Sequence, residues 1–258
     1  MPSAAPNPEI ASAEGLAAAF GMPPAKAIAW FESLGVRIGW DWSREWAASN
    51  ELAFSLSRVA DLSVLTAVKE EVGRAIAQGV TQAAFRKQLA GRLAALGWLR
   101  RRTVIGADGS IATVDLTAAH RMDVILRTNS QAAFMAGRWT DQQEAVVTHP
   151  YLQYVAVMDS RTRATHAALN GRVYRVDDPI WRTIYPPNGF NCRCRVRSLT
   201  AEQVEQRKLQ VGGHALPDAF PDPGFDYNPG VPGAQQQAMA GAIARLIQRS
   251  GSAGAVSP

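Results

Sequence analysis

Apolar residues along this chain recur mostly at helical spacing up to about residue 140 and at strand spacing after residue 150, with proline and glycine marking the joints. Pro23-Pro24 opens a stretch that carries Ile28, Phe31 and Leu34 on one face and closes at Gly35, which predicts a first helix. In WDWSREWAASNELAFSLSRVAD, Trp46, Ala53, Leu56 and Ala60 return at roughly helical spacing after Ser43, a candidate cap, and predict a second. Val64, Val68, Val72 and Ile76 stand four apart ahead of Gly79. Thr81 is placed to cap a helix bearing Phe85, Leu89, Leu93 and Leu96 before Gly97, so the two runs predict a helical hairpin. Asp108-Gly109 between two β-capable runs is a hairpin signal, with a mobile loop as the alternative. From Asp115 to about Trp139 the chain again reads helical, with Val124, Leu126 and Phe134 among its apolar positions and no internal proline.

After His149-Pro150 the character changes. YLQYVAVMD is rich in β-branched and aromatic residues and predicts a strand. Asp159 is expected to cap a helix, SRTRATHAAL, that stops at Asn170-Gly171; VYRV and, after the IYPPNGFN loop, RCRVRSL predict two more strands. Thr200 opens a further short helix, HALPDAFPDPGFDYNPGVPG has no periodicity, and AQQQAMAGAIARLIQRS predicts a short amphipathic helix. The expected fold class is α+β: a mostly helical N-terminal region, then a small antiparallel β domain with one helix, then an extended C-terminal tail. The expected divisions are a flexible arm over 1–22, a helical domain over 23–140, an α+β module over 151–199, and a C-terminal helix with a Pro/Gly-rich tail over 200–258.

Composition narrows the class. A chain of 258 residues, 47% hydrophobic and 19% charged, can bury one large core or two smaller ones. It has no run of about 18 apolar residues and no charged leader before an apolar stretch, so neither a membrane partner nor a secretory signal is expected. Cys192 and Cys194, one residue apart, exclude a secreted-type disulfide framework by count and fit synthesis in a reducing cytoplasm. The net charge of +5 is concentrated: Arg161, Arg163, Arg172, Arg175, Arg182, Arg193, Arg195 and Arg197 face only three Asp within 159–197. Elsewhere 19 basic and 19 acidic residues cancel. Arginine suits bidentate contact with phosphate or carboxylate, so this segment is a candidate surface for nucleic acid or an acidic partner, with Tyr174, Trp181 and Tyr185 interleaved. A solvated basic face is the plainer alternative.

The same segment carries the candidate chemistry. On a helix, Asp159, Thr162 and His166 share one face; on a strand, Cys192 and Cys194 project to one side. Bringing His166 to the two sulfurs would make a nitrogen–sulfur set suited to zinc, with Asp159 or water as fourth ligand. The alternatives are a histidine that merely hydrogen-bonds a neighbour and an aspartate that caps its helix. A cysteine nucleophile with His166 as base and Asp159 as orienter has the residue types but no surrounding signature, and no catalytic residue is assigned.

Taken in order, the Asp-x-Arg-Thr run, the Leu-x-Gly turn, the Pro-Pro loop and the Cys-Arg-Cys strand of DSRTRATHAALNGRVYRVDDPIWRTIYPPNGFNCRCRVRSLT resemble the core of phage Mu F-like minor head proteins. PPAKAIAWFESLG, ILRTNSQAAFMAGRW and PDPGFDYNPG resemble family segments too, so the likeness covers most of 22–231. The resemblance implies a low-copy, non-enzymatic virion protein of the head interior or portal vertex, made in the bacterial host cytoplasm. It would be needed for head morphogenesis, with a part in DNA packaging or delivery left open. Its implied partners are the portal protein, a capsid or scaffolding protein, and packaged double-stranded DNA. Other members carry a Cys four residues after the Asp, another three further on, and a His ahead of the downstream Cys pair. Here Arg163 and His166 stand at the first two and PPNGFN has no His, which removes potential metal ligands. The competing class is a metal-dependent nuclease or hydrolase acting during packaging, whose turnover would depend on His166 or Cys194.

Overall fold

Proline at a first helical position costs no hydrogen bond, and in the computed structural model α1 (Pro24–Ser33) begins there and buries Ala27 and Phe31, with Leu34 just beyond its end. The structure describes residues 24–36, 53–54, 61–98, 101–105 and 111–231. The expected arm over 1–22, the positions Ser43, Trp46, Leu56 and Ala60, the Asp108-Gly109 turn and the closing AQQQAMAGAIARLIQRS run lie outside the described residues. Ala53 does not continue a helix. β1 (Gly35–Val36) pairs in parallel with β2 (Ala53–Phe54), whose alanine gave the helical period little apolar weight against a backbone partner.

The helical hairpin follows the sequence closely. α2 (Leu62–Gln78) is capped by Asp61, which accepts from the backbone N–H groups of Ser63 and Val64 at 2.9 and 3.2 Å, and ends where Gly79 takes a left-handed φ of 65°. α3 (Gln82–Ala95) starts from Thr81, whose hydroxyl accepts from the Ala84 N–H at 3.2 Å. Phe85, Leu89 and Leu93 are fully buried, whereas Leu96, at the helix end, is exposed. β3 (Arg101–Ile105) and β4 (Ile111–Asp115) pair antiparallel, so the two strands of the expected β-hairpin are present.

α4 (Ala119–Glu144) is the spine. Every residue from Thr128 to Gly137 is buried, with α1 and α2 on one side and the C-terminal sheet on the other. Lys26 of α1 pairs with Asp141 and Glu144 near its end, at 2.5 and 2.8 Å. The sheet has the order β6-β5-β7, formed by β5 (Tyr151–Val155), β6 (Val173–Arg175) and β7 (Arg195–Leu199), with both outer strands antiparallel to the central one. In the register Tyr154↔Val196 the β5 residue turns its N–H and C=O toward the β6 side, so the Val196 carbonyl points to the outer edge. Gln142 of α4 donates to that carbonyl at 3.3 Å, and Gln131 donates to the Cys194 carbonyl at 2.7 Å. One continuous cluster of buried side chains runs from Ala27 to Phe220, so the helical part and the sheet share a core.

Between the strands stand α5 (Ala164–Ala167) and α6 (Trp181–Ile184); α7 (Ala201–Gln206) follows β7 behind a capping box of Thr200 and Gln203. The expected helix from Asp159 shrinks to α5. The Asp159 carboxylate accepts from the Arg161 N–H at 3.0 Å, closing a local turn, while the Thr162 hydroxyl donates back to the Val157 carbonyl. Residues 214–231 contain no helix or strand but pack Phe220, Phe225, Tyr227 and Asn228 inward. Among the described residues no helix is long and apolar enough to cross a membrane.

Candidate functional site

Cys192 and Cys194 precede β7 rather than lying on it, yet extended alternation holds: both sulfurs point inward and Arg193 outward. α5, seated across the turn at Asp159, presents His166 to them. The His166 Nδ1 lies 3.5 Å from Cys194 Sγ and 3.7 Å from Cys192 Sγ, and one ligand atom from each of the three falls within 4.8 Å of the others. All three side chains are buried. Phe220 from the C-terminal segment meets the imidazole edge-on at 5.1 Å and closes one side. On another, the Tyr154 hydroxyl donates to Asn188 Oδ1 at 2.8 Å, and burial pushes its own pKa well up, so it stays a neutral donor.

The other imidazole nitrogen is set by Arg163, a side chain whose role the sequence concealed. Its Nε donates to His166 Nε2 at 3.0 Å, and its NH1 pairs with Asp222 at 3.0 Å. Guanidinium has only donors, so Nε2 must accept and the proton of the neutral ring sits on Nδ1, facing the sulfurs. Gly189 lies beneath this pair, and a Cβ there would force the Asp222 carboxylate and the Arg163 guanidinium to shift. Burial opposes ionisation of Cys192, yet hydrogen bonds from Cys194 and His166 outweigh it and hold this thiol well below the ordinary range. Cys194 moves the other way, raised by its hydrogen bond with Cys192, by burial and by that sulfur's charge. The pair thus concentrates thiolate character on Cys192.

Asp159 stands apart from this cluster. Both of its oxygens accept from Arg193, at 2.6 and 2.7 Å, and that guanidinium holds its carboxyl well below the usual carboxylate range. Among the described residues the nitrogen–sulfur set is His166, Cys192 and Cys194.

The eight arginines divide. Arg163 and Arg193 brace the site, and Arg172 donates to the carbonyls of Ala168 and Ala215 at 3.0 and 2.6 Å. Arg175 pairs with Asp177 at 2.9 Å, and Arg197 donates to Gln153 Oε1 at 2.7 Å. Arg161 and Arg182 remain as exposed positive charge and Arg195 as a half-buried one, Arg161 with Asp159 at 3.7 Å and the other two without an ion pair among the described residues. Tyr174, Trp181 and Tyr185 are buried in one edge-to-face stack with centroids 5.6 and 6.1 Å apart. They build the core and offer no face to a base.

Residues 66–197, a span that contains His166, Cys192, Cys194 and Arg163, match the family model described as Phage Mu protein F like protein. The chain belongs to the Phage Mu protein F like family. It is similar to the Putative capsid assembly protein F of Escherichia phage Mu, 41% identical over 196 residues, which cover 76% of this chain and 45% of that protein. It is also similar to the Mu-like prophage FluMu F protein of Haemophilus influenzae, 39% identical over 176 residues, covering 68% of this chain and 42% of the relative. This F-like chain therefore matches less than half the length of each of these relatives. No solved structure matches it.

Proposed function

We propose that this F-like chain is a structural protein of phage head assembly, acting by surface contact and without turnover. The observation that carries the reading is the 41% identity to a protein named for capsid assembly, over three quarters of this chain. Its place is the head interior or portal vertex, and its partners are the portal protein and a capsid or scaffolding protein. The guanidinium groups of exposed Arg161 and Arg182, with that of half-buried Arg195, supply the chemistry for acidic protein groups or for the phosphates of packaged double-stranded DNA. The non-enzymatic reading draws support from the surroundings of His166. A cysteine–histidine catalytic pair needs an acceptor behind the imidazole to orient and charge it, and Arg163 places a cationic donor there.

Mass spectrometry of purified particles, with heads separated from tails, tests this. The chain should be recovered in heads at low copy, and its absence from mature heads would overturn the proposal.

A further inference from the structure

We infer that His166, Cys192 and Cys194 hold one zinc ion, and that loading it turns Arg163 away from His166. The inference stands apart from the head-assembly reading, since it concerns the isolated chain.

Zinc bonds of about 2.3 Å to sulfur and about 2.0–2.1 Å to nitrogen place tetrahedral nitrogen and sulfur ligands roughly 3.6 Å apart. The two Nδ1–Sγ separations, 3.5 and 3.7 Å, bracket that edge. The donors are gathered from two distant stretches of chain and buried before any ion arrives, which a merely packed pair of cysteines does not require. Charge points the same way. Two thiolates and a neutral imidazole cancel the ion, so the loaded cluster brings no net charge into the core, whereas ionised sulfur alone would. The fourth position opens on a cavity of about 240 Å³ lined by Val157, Thr162, Phe190 and Arg193, with room for water.

Arg163 is the element that binding must displace. Nδ1 holds a proton where the metal would sit, and Nε2 accepts from Arg163 at 3.0 Å. On loading, thiol protons leave to solvent, the Nδ1 proton is replaced by zinc, and Nε2 becomes the protonated nitrogen. Two N–H groups would then face each other, so Arg163 swings toward Asp222, to which it is already paired.

The test is metal content after equilibration of the full chain with zinc and exhaustive dialysis, read beside the thiolate-to-cobalt charge-transfer band of the cobalt-loaded chain. Wild type should retain about one ion per chain and show the band, and Cys194→Ser should lose both. Arg163→Gln, which offers Nε2 an acceptor in place of a donor, should bind zinc roughly tenfold more tightly. That arm does not depend on whether the cysteine variant folds. Less than about a tenth of an ion in wild type, with no cobalt band, overturns the inference. So does metal held by Arg163→Gln alone, or equal affinity in Arg163→Gln and wild type.

Discussion

Replacing Gln142 by Leu removes the amide that ties the central helix to both the sheet and the aromatic stack. Leu occupies nearly the same volume, so the loss is polar. The Val196 carbonyl loses its donor at 3.3 Å, and the Tyr185 hydroxyl loses its acceptor at 2.7 Å. Tyr185 is fully buried, and burial pushes its phenol far up, so a neutral O–H is left with nowhere to donate at any working pH. Each stranded buried group costs about 1–3 kcal/mol, with the long carbonyl bond at the lower end, so the variant should lose about 2–4 kcal/mol. Adding Tyr185→Phe removes the stranded hydroxyl while keeping the ring against Trp139 at 5.0 Å, and should recover about 1–2 kcal/mol of the loss. Urea unfolding followed by circular dichroism measures both. If Gln142→Leu unfolds within about 0.5 kcal/mol of wild type, or the second change adds to the loss, the amide does not link helix, sheet and stack.

The folded Asp159 carboxyl is depressed by Arg193, so the bridge contributes fully above the unfolded-state value near about 3.9 and is lost as pH falls through the lower folded value. The Tm gap between wild type and Asp159→Asn should therefore be constant from about pH 7 to 5 and close below about pH 4; a gap that widens on acidification contradicts the bridge. Changing Arg161, Arg182 and Arg195 together to Gln should weaken binding to duplex DNA and flatten its salt dependence by about 0.9 in slope for each phosphate no longer neutralised, with Tm preserved. Arg193→Gln should instead lower Tm, and equal thermal loss in both variants would refute the division of the arginines into braces and free charge.

Much of the fold was legible from local rules. Thr81, Gly79 and the fourfold valine spacing specify the helical hairpin because caps and apolar faces are short-range signals. Alternation in Cys-Arg-Cys put both sulfurs on one side even though the ladder begins only at Arg195. The misreadings share a cause, which is partners far away in sequence. Asp159 looks like a cap because nothing nearby announces Arg193, 34 residues on. The run of arginines looks like one surface because their acceptors, Asp222, Gln153 and the Ala215 carbonyl, come from other elements. Gln131 gave a usable hint, being an amide beside Ala132, Ala133 and Phe134, whereas Gln142 stands among polar residues past the expected helix end; the carbonyls that accept from both are backbone and carry no sequence signature.

The glutamines of α4 cover one rim of the three-stranded sheet, and at the other rim Val173 bridges to Val211 while Gly212 donates to the Val173 carbonyl at 2.8 Å. Neither outer strand therefore offers a bare row of main-chain groups on which a neighbouring subunit's strand could zip, the route by which crowded proteins stick edge to edge. At these two rims a partner would be met through side chains, which can be matched to one protein and withheld from the rest.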